Sequence, residues 1–494
     1  MVDLEKLKNL IQRMMDYYSV PGMALGLIEG DRVNFLSFGV RNEKGDPFRP
    51  DTISGIGSCT KSMTDYAVMR LAERGILDID EPVKNYVPFF ALWDEEATSA
   101  VTLRDMMCHR TGVGFHDGTW PDNSISRVEY LKRLKYMEPT APFRTLAQYS
   151  NVMYTAIGGI LEQVTGKKWE EILKEEIFEP LHMDRTCCLM EEALADPNSA
   201  RPFRWNQGLH EVPPWNIDQA GPCGSVMSTA EDMVKWLSLH IQGGMVEGKY
   251  FLKPKGFLDM HTPQILMDYP HVLGGRSLGY GFGWRVMEYR GSVIQQHTGK
   301  IEGYSAFQFY IPVLSCGAVY LQNLHCPDNP LIFAIQGFLL DAFLGRGEED
   351  WFAMYTDPGR SHAPEDMYHH LEFHCLPESR AKGPLSHPLS DYEGTYESGG
   401  YGTFRVKIRD GKLFLDERAV RDRPMTHLYY DTFRVNEVKE DTDLYEIPLT
   451  FFADDAGEIA GFHLLMEPRV KSIRFTKVRK PEEKIIHDPD APHY

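Results

Sequence analysis

The 494 residues are 43% hydrophobic and 25% charged, more chain than one ordinary domain uses and enough for two with separate cores. Lys and Arg number 52 against 71 Asp and Glu, a formal charge of −19, so neither a nucleic-acid partner nor an anionic membrane surface is expected. There is no apolar run of about 18 residues, and the N-terminal stretch is expected to be a helix and not a basic, apolar-cored leader; the Cys at 59, 108, 187, 188, 223, 316, 326 and 375 form no C-x-x-C, so reduced thiols in a cytoplasmic protein are expected.

The first 20 residues read as an amphipathic helix carrying both signs of charge. Met23 to Ile28 and Arg32 to Val40, joined by Glu29-Gly30-Asp31, form an antiparallel hairpin. From Ser58 to Arg74 the apolar residues Met63, Ala67, Val68, Leu71 and Ala72 fall on one helical face, with Gly75 placed to end it. Helical periodicity returns at 102–109, 151–165 and 229–241, and strand-like runs follow at 283–296, 304–311 and 317–323. A hairpin, then helices, then late strands describe an α+β domain over 1–345 whose sheet is built from both ends of the segment. Residues 346–390, rich in Glu, Asp, His and Pro, read as a linker with room for one helix. Short alternating strands and turns at 391–480 indicate a small all-β barrel or curled sheet, and 481–494 a tail.

Three short motifs can carry chemistry. Ser58 opens a helix and Lys61 lies one turn on, which sets an amine beside an alcohol that is a poor nucleophile until a base takes its proton. Spacing alone does not decide it, because Ser379-Arg380-Ala381-Lys382 repeats the S-x-x-K pattern in the linker without a helix start. The plain alternative is a helix cap beside a solvated Lys. Tyr149-Ser150-Asn151, at the start of the helix 151–165, offers a phenol for proton relay and an amide for a substrate carbonyl; the alternative is a core-edge Tyr with an Asn cap. His297-Thr298-Gly299-Lys300 lies at a strand edge, where a Gly admits close backbone approach and the next N–H can face an oxyanion. An ordinary turn would explain it as well.

In this order and context the three motifs resemble the serine β-lactamase and penicillin-binding-protein superfamily, in the branch of class C β-lactamases, D-aminopeptidases and esterases. The stretches Leu71 to Pro82, Met107 to Val113, Gly224 to Asp232 and Tyr280 to Trp284 are similar to recurring segments of that branch. The resemblance covers about 1–345 and implies an antiparallel sheet with flanking helices and a helical subdomain. The stretch from Tyr392 through Phe433 is similar to the lipocalin-like module appended to such hydrolases. By resemblance, Ser58 is the acylated nucleophile, Lys61 its base partner and Tyr149 the proton relay. Asn151 and the His297-Thr298-Gly299-Lys300 stretch would bind substrate, with the N–H groups of Ser58 and Lys300 as the oxyanion hole. His297 stands where β-lactamases have Lys, which argues against a strong β-lactamase.

The expectation is a cofactor-independent, metal-free serine hydrolase acting through an acyl-enzyme on an amide or ester of a small molecule or short peptide, D-residues included. A transacylase or weak β-lactamase with the same intermediate stays open, as does a binding or sensor protein that keeps the fold, and self-association is left open. Cys187-Cys188 and the linker His362, His369, His370 and His374 with Cys375 have no convincing metal-ligand spacing.

Overall fold

The computed structural model describes residues 1–119, 125–205, 208–325, 330–346, 349–357, 383–417, 422–436, 447–467 and 469–479. The second S-x-x-K at 379–382, the linker histidines, Cys326, Cys375 and the tail 481–494 lie outside them. The chain divides into two compact units, 1–372 and 373–494.

The first unit is built on a seven-stranded antiparallel sheet. Its strands are β1 (Gly22–Glu29), β2 (Arg32–Gly39), β3 (Gly275–Tyr280), β4 (Arg285–Tyr289), β5 (Ser292–Ile301), β6 (Tyr304–Ile311) and β7 (Cys316–Gln322). The spatial order β2-β1-β7-β6-β5-β4-β3 joins the N-terminal hairpin to the late strands. The run read as one strand at 283–296 is instead a hairpin, because Arg290 and Gly291 adopt positive φ and turn the chain between β4 and β5. In consequence the third motif lies inside β5 and not at a strand edge.

Helices cover both faces of the sheet: α1 (Leu4–Tyr18), α2 (Thr60–Glu73), α3 (Leu103–Met107), α4 (Asn151–Thr165), α5 (Ala230–Ile241), α6 (Pro330–Phe343) and α7 (Trp351–Thr356). Alternation along each strand feeds two cores. Met23, Leu25, Phe307 and Phe309 point to α1, α6 and α7, while Ala24, Ala306, Tyr310 and Val319 point to the layer holding α2, α4 and α5. Asp3 caps α1 through the N–H groups of Glu5 and Lys6, and Leu7, Ile11 and Met14 are its fully buried stripe. Each such side chain contributes about 1.5–3 kcal/mol on burial. Helix α7 falls in the acidic stretch after 345 and is part of this unit, since Trp351 packs on Gly337 of α6 and its indole N–H donates to Asp341.

The second unit is a closed eight-stranded antiparallel barrel, from Gly394–Ser398 to Ile473–Lys477. Its core is aromatic, with Tyr396, Phe404, Phe451, Phe462 and Phe475 buried together. Among the described residues, no helix is long and apolar enough to cross a membrane.

Candidate active site

Ser58 sits in a single 3₁₀ turn, Gly57–Cys59, that leads directly into α2. Gly57 has φ +49°, and a side chain there would strike the backbone of Lys300, so strand β5 runs alongside the turn. One helical turn on, the fully buried Lys61 places Nζ 3.0 Å from Ser58 Oγ, 2.8 Å from Asn151 Oδ1 and 2.7 Å from the carbonyl oxygen of Cys223. Asn151 and Cys223 are pure acceptors here, so two N–H bonds are fixed in either protonation state. The third position faces Ser58 and can give or take a proton.

Asn151 is the first residue of α4, whose cap is Ser150, with its hydroxyl accepting from the N–H of Met153. Its Nδ2 donates to Asp117 Oδ1 at 3.0 Å, which fixes the amide orientation that Lys61 requires. The ring of Tyr149 lies 4.9 Å from Lys61 Nζ and 4.4 Å from the buried imidazole of His109. His109 holds the segment in place by accepting the N–H of Ser150 at Nδ1, and its carbonyl accepts from Gln148. Asp105 anchors the same loop. Burial alone would raise its pKa, but Arg144 and Arg110 on its oxygens hold it below the ordinary carboxylate range.

The third motif divides by face. His297 is fully buried, with Nε2 3.0 Å from the Tyr280 hydroxyl and Nδ1 2.6 Å from the carbonyl of Thr298. Burial, and then the cations of Arg285 and Lys61, push its pKa well below the usual imidazole value, so the ring is neutral and supports the strand from behind. Gly299 passes against Ile56 and Ser58, and Lys300 is exposed.

Arg285 is the residue that motif reading missed. It projects from β4, donates from Nη1 to Thr298 Oγ1 at 3.0 Å, and lies over the rings of Tyr269 and Tyr149 at 5.0 and 5.8 Å. Its Nε is buried without a hydrogen-bond partner, and among the described residues no carboxylate pairs with it. An Arg at the start of a strand has no spacing signature, so nothing in the sequence marks it. The chain is strongly acidic, yet among the described residues neither Lys61 nor Arg285 of its site has an ionic partner.

A family model described as Beta-lactamase matches residues 7–332. The chain belongs to that family. A second model, a domain of unknown function named DUF3471, matches residues 378–477 and so spans the barrel. The chain is similar to the Unguisins hydrolase of Aspergillus campestris, 25% identical over 78% of this chain and 74% of that one. It is likewise similar to the D-alanyl-D-alanine-carboxypeptidase/endopeptidase AmpH of Escherichia coli strain K12, 26% identical over 63% of this chain and 82% of that one. The fold is that of the octameric penicillin-binding protein homologue from Pyrococcus abyssi, with a TM-score of 0.60 at 24% identity over 96% of this chain and all of that one. The superfamily to which these beta-lactamase-like proteins belong is one of serine hydrolases, as the resemblance implied.

Proposed function

We propose that the protein is a serine hydrolase that forms an acyl-enzyme on Ser58 from an amide or ester of a small molecule or short peptide. The observation that carries this reading is Lys61 Nζ at 3.0 Å from Ser58 Oγ, with its other hydrogen bonds taken by Asn151 and Cys223. Lys61 takes the Ser58 proton as Oγ attacks the carbonyl carbon. The N–H groups of Ser58 and Lys300 receive the developing oxyanion, and each such donor lowers a barrier by about 3 kcal/mol. The proton taken by Lys61 passes by way of Tyr149 to the departing amine or alcohol, and water then attacks the ester carbonyl, releasing the acid and returning a proton to Ser58.

Arg285 supplies the substrate end. With His297 neutral and buried, the guanidinium of Arg285 beside Thr298 is a cation available to a substrate carboxylate. One relative, AmpH, is by name a D-alanyl-D-alanine-carboxypeptidase/endopeptidase, and a short peptide with a free carboxylate, D-residues included, fits both that chemistry and this cation. Product analysis with and without an added amine or alcohol acceptor tests the outcome of the acyl-enzyme. Free acid in both cases supports hydrolysis, and acyl transfer to the acceptor at the expense of acid would replace it with the transacylase.

A further inference from the structure

One turn beyond Lys61, helix α2 carries Asp65, which is completely buried. The hydroxyl of Tyr154, on α4, lies 2.6 Å from Asp65 Oδ2 and 2.8 Å from the carbonyl oxygen of Met107. Asp65 Oδ1 is buried with no hydrogen-bond partner. A phenol carries one proton, and Met107 O can only accept. Both contacts are hydrogen bonds if Tyr154 donates to Met107 and Asp65 Oδ2 carries a proton that it donates to Tyr154.

The rest of the chain of contacts agrees. Tyr154 also lies near Tyr280, on β3. Tyr280 in turn reaches His297 Nε2 at 3.0 Å. Because His297 Nδ1 donates to the Thr298 carbonyl at 2.6 Å, its neutral ring accepts at Nε2, and the Tyr280 proton is committed there. Tyr280 therefore has no proton to offer Tyr154, which leaves Asp65 as the donor. The groups facing Asp65 are Lys61 on its own helix, Tyr154 from α4, Cys108 just after α3, and Tyr280 from β3. Lys61 is the one cation among them, and its hydrogen bonds are directed at Ser58, Asn151 and Cys223. An ionised Asp65 would be a buried charge with a bare oxygen, which folded proteins avoid. Burial raises its pKa well above the carboxylate range, against smaller opposing effects of Tyr154 and Lys61.

We infer that Asp65 is a neutral carboxylic acid that donates to Tyr154, whose own proton goes to the Met107 carbonyl, and that it is a positioning residue registering the nucleophile helix α2 against α4 and the end of α3. The kinetic part of this inference rests on the acyl-enzyme reading; the protonation state does not.

The test joins infrared spectroscopy to kinetics on the full chain. At about pH 8, where ordinary carboxyls are ionised, the difference spectrum of wild type minus Asp65→Asn should show the C=O band of a protonated acid, and Tyr154→Phe should displace that band. Absence of the band in wild type carrying ¹³C-labelled aspartate overturns the inference, even if Asp65→Asn does not fold and even if Ser58 proves unreactive. An amide N–H can donate as the acid does, so Asp65→Asn should hold turnover of a neutral ester within about 3-fold, with the acid limb of its pH profile unmoved. Asp65→Leu should lower kcat about 10-fold or more with KM little changed. A loss in Asp65→Asn as large as in Asp65→Leu, or a displaced acid limb, would show an ionised Asp65 and overturn the inference.

Discussion

A side-chain carbon at position 299 would lie 1.8 Å from the carbonyl oxygen of Ile56, so Gly299 and Ile56 meet backbone to backbone. The same carbon would stand 3.0 Å from the backbone nitrogen of Ser58, a proposed oxyanion donor. Gly299→Ala must therefore push β5 away from the nucleophile turn. Displacements of this size cost about 100-fold in rate, whereas overpacking costs about 1–3 kcal/mol of stability. The expected outcome is a folded protein with kcat/KM reduced by that order, checked by esterase kinetics beside a thermal melt. Full activity in Gly299→Ala would mean that the strand and the turn do not act together.

Arg285→Gln removes this cation and leaves the Ser58–Lys61 pair intact. For a peptide ending in a carboxylate, kcat/KM should fall about 10- to 100-fold, the range of a hydrogen bond to a charged group. The matched C-terminal amide should be nearly unaffected. Equal losses for acid and amide, measured side by side, would assign Arg285 to packing against Tyr149 and Tyr269.

Much of this was legible in local pattern. The apolar period of 151–165 ends at Gly166, which adopts the left-handed conformation that closes α4, and the S-x-x-K spacing brings Ser58 and Lys61 together because both lie on one helical turn. What the sequence could not show are partners joined only by the fold. Asp117 orients Asn151 from 34 positions away and Tyr154 meets Asp65 across 89, and no period links such pairs. Hydropathy also merged β4 and β5, because only the two residues Arg290 and Gly291 separate the paired strands. The acidic composition after 345 left room for a helix such as α7 but not for its packing, since its few apolar residues join the core of the first unit.

His240 and His261 meet at 3.1 Å in a cage of Trp236, Trp284 and Phe257, with His261 Nδ1 donating to the Phe257 carbonyl. Burial pulls His261 down to about 4 and, with His261 beside it, pulls His240 well below the imidazole range. In the unfolded chain both titrate near about 6.5. Below that pH the unfolded state binds protons that the folded state refuses, so stability is full above it and falls as the pH drops toward 4. The buried His109 and His297 act with the same sign. Melting temperature should fall steadily between about pH 6.5 and pH 5, less steeply in His261→Asn. A flat profile, or the same slope in the variant, would remove the pair as the cause.

The central claim is a covalent acyl group on Ser58, and intact-mass spectrometry reads it directly. The protein is exposed to a fluorophosphonate and to a panel of p-nitrophenyl esters and D- and L-aminoacyl anilides, then digested to locate the adduct. The expected result is one adduct on the peptide containing Ser58, absent in Ser58→Ala and slowed by orders of magnitude in Lys61→Ala, with both variants folded. An adduct that persists in folded Ser58→Ala, or no adduct on the wild type with any reagent, would contradict the claim.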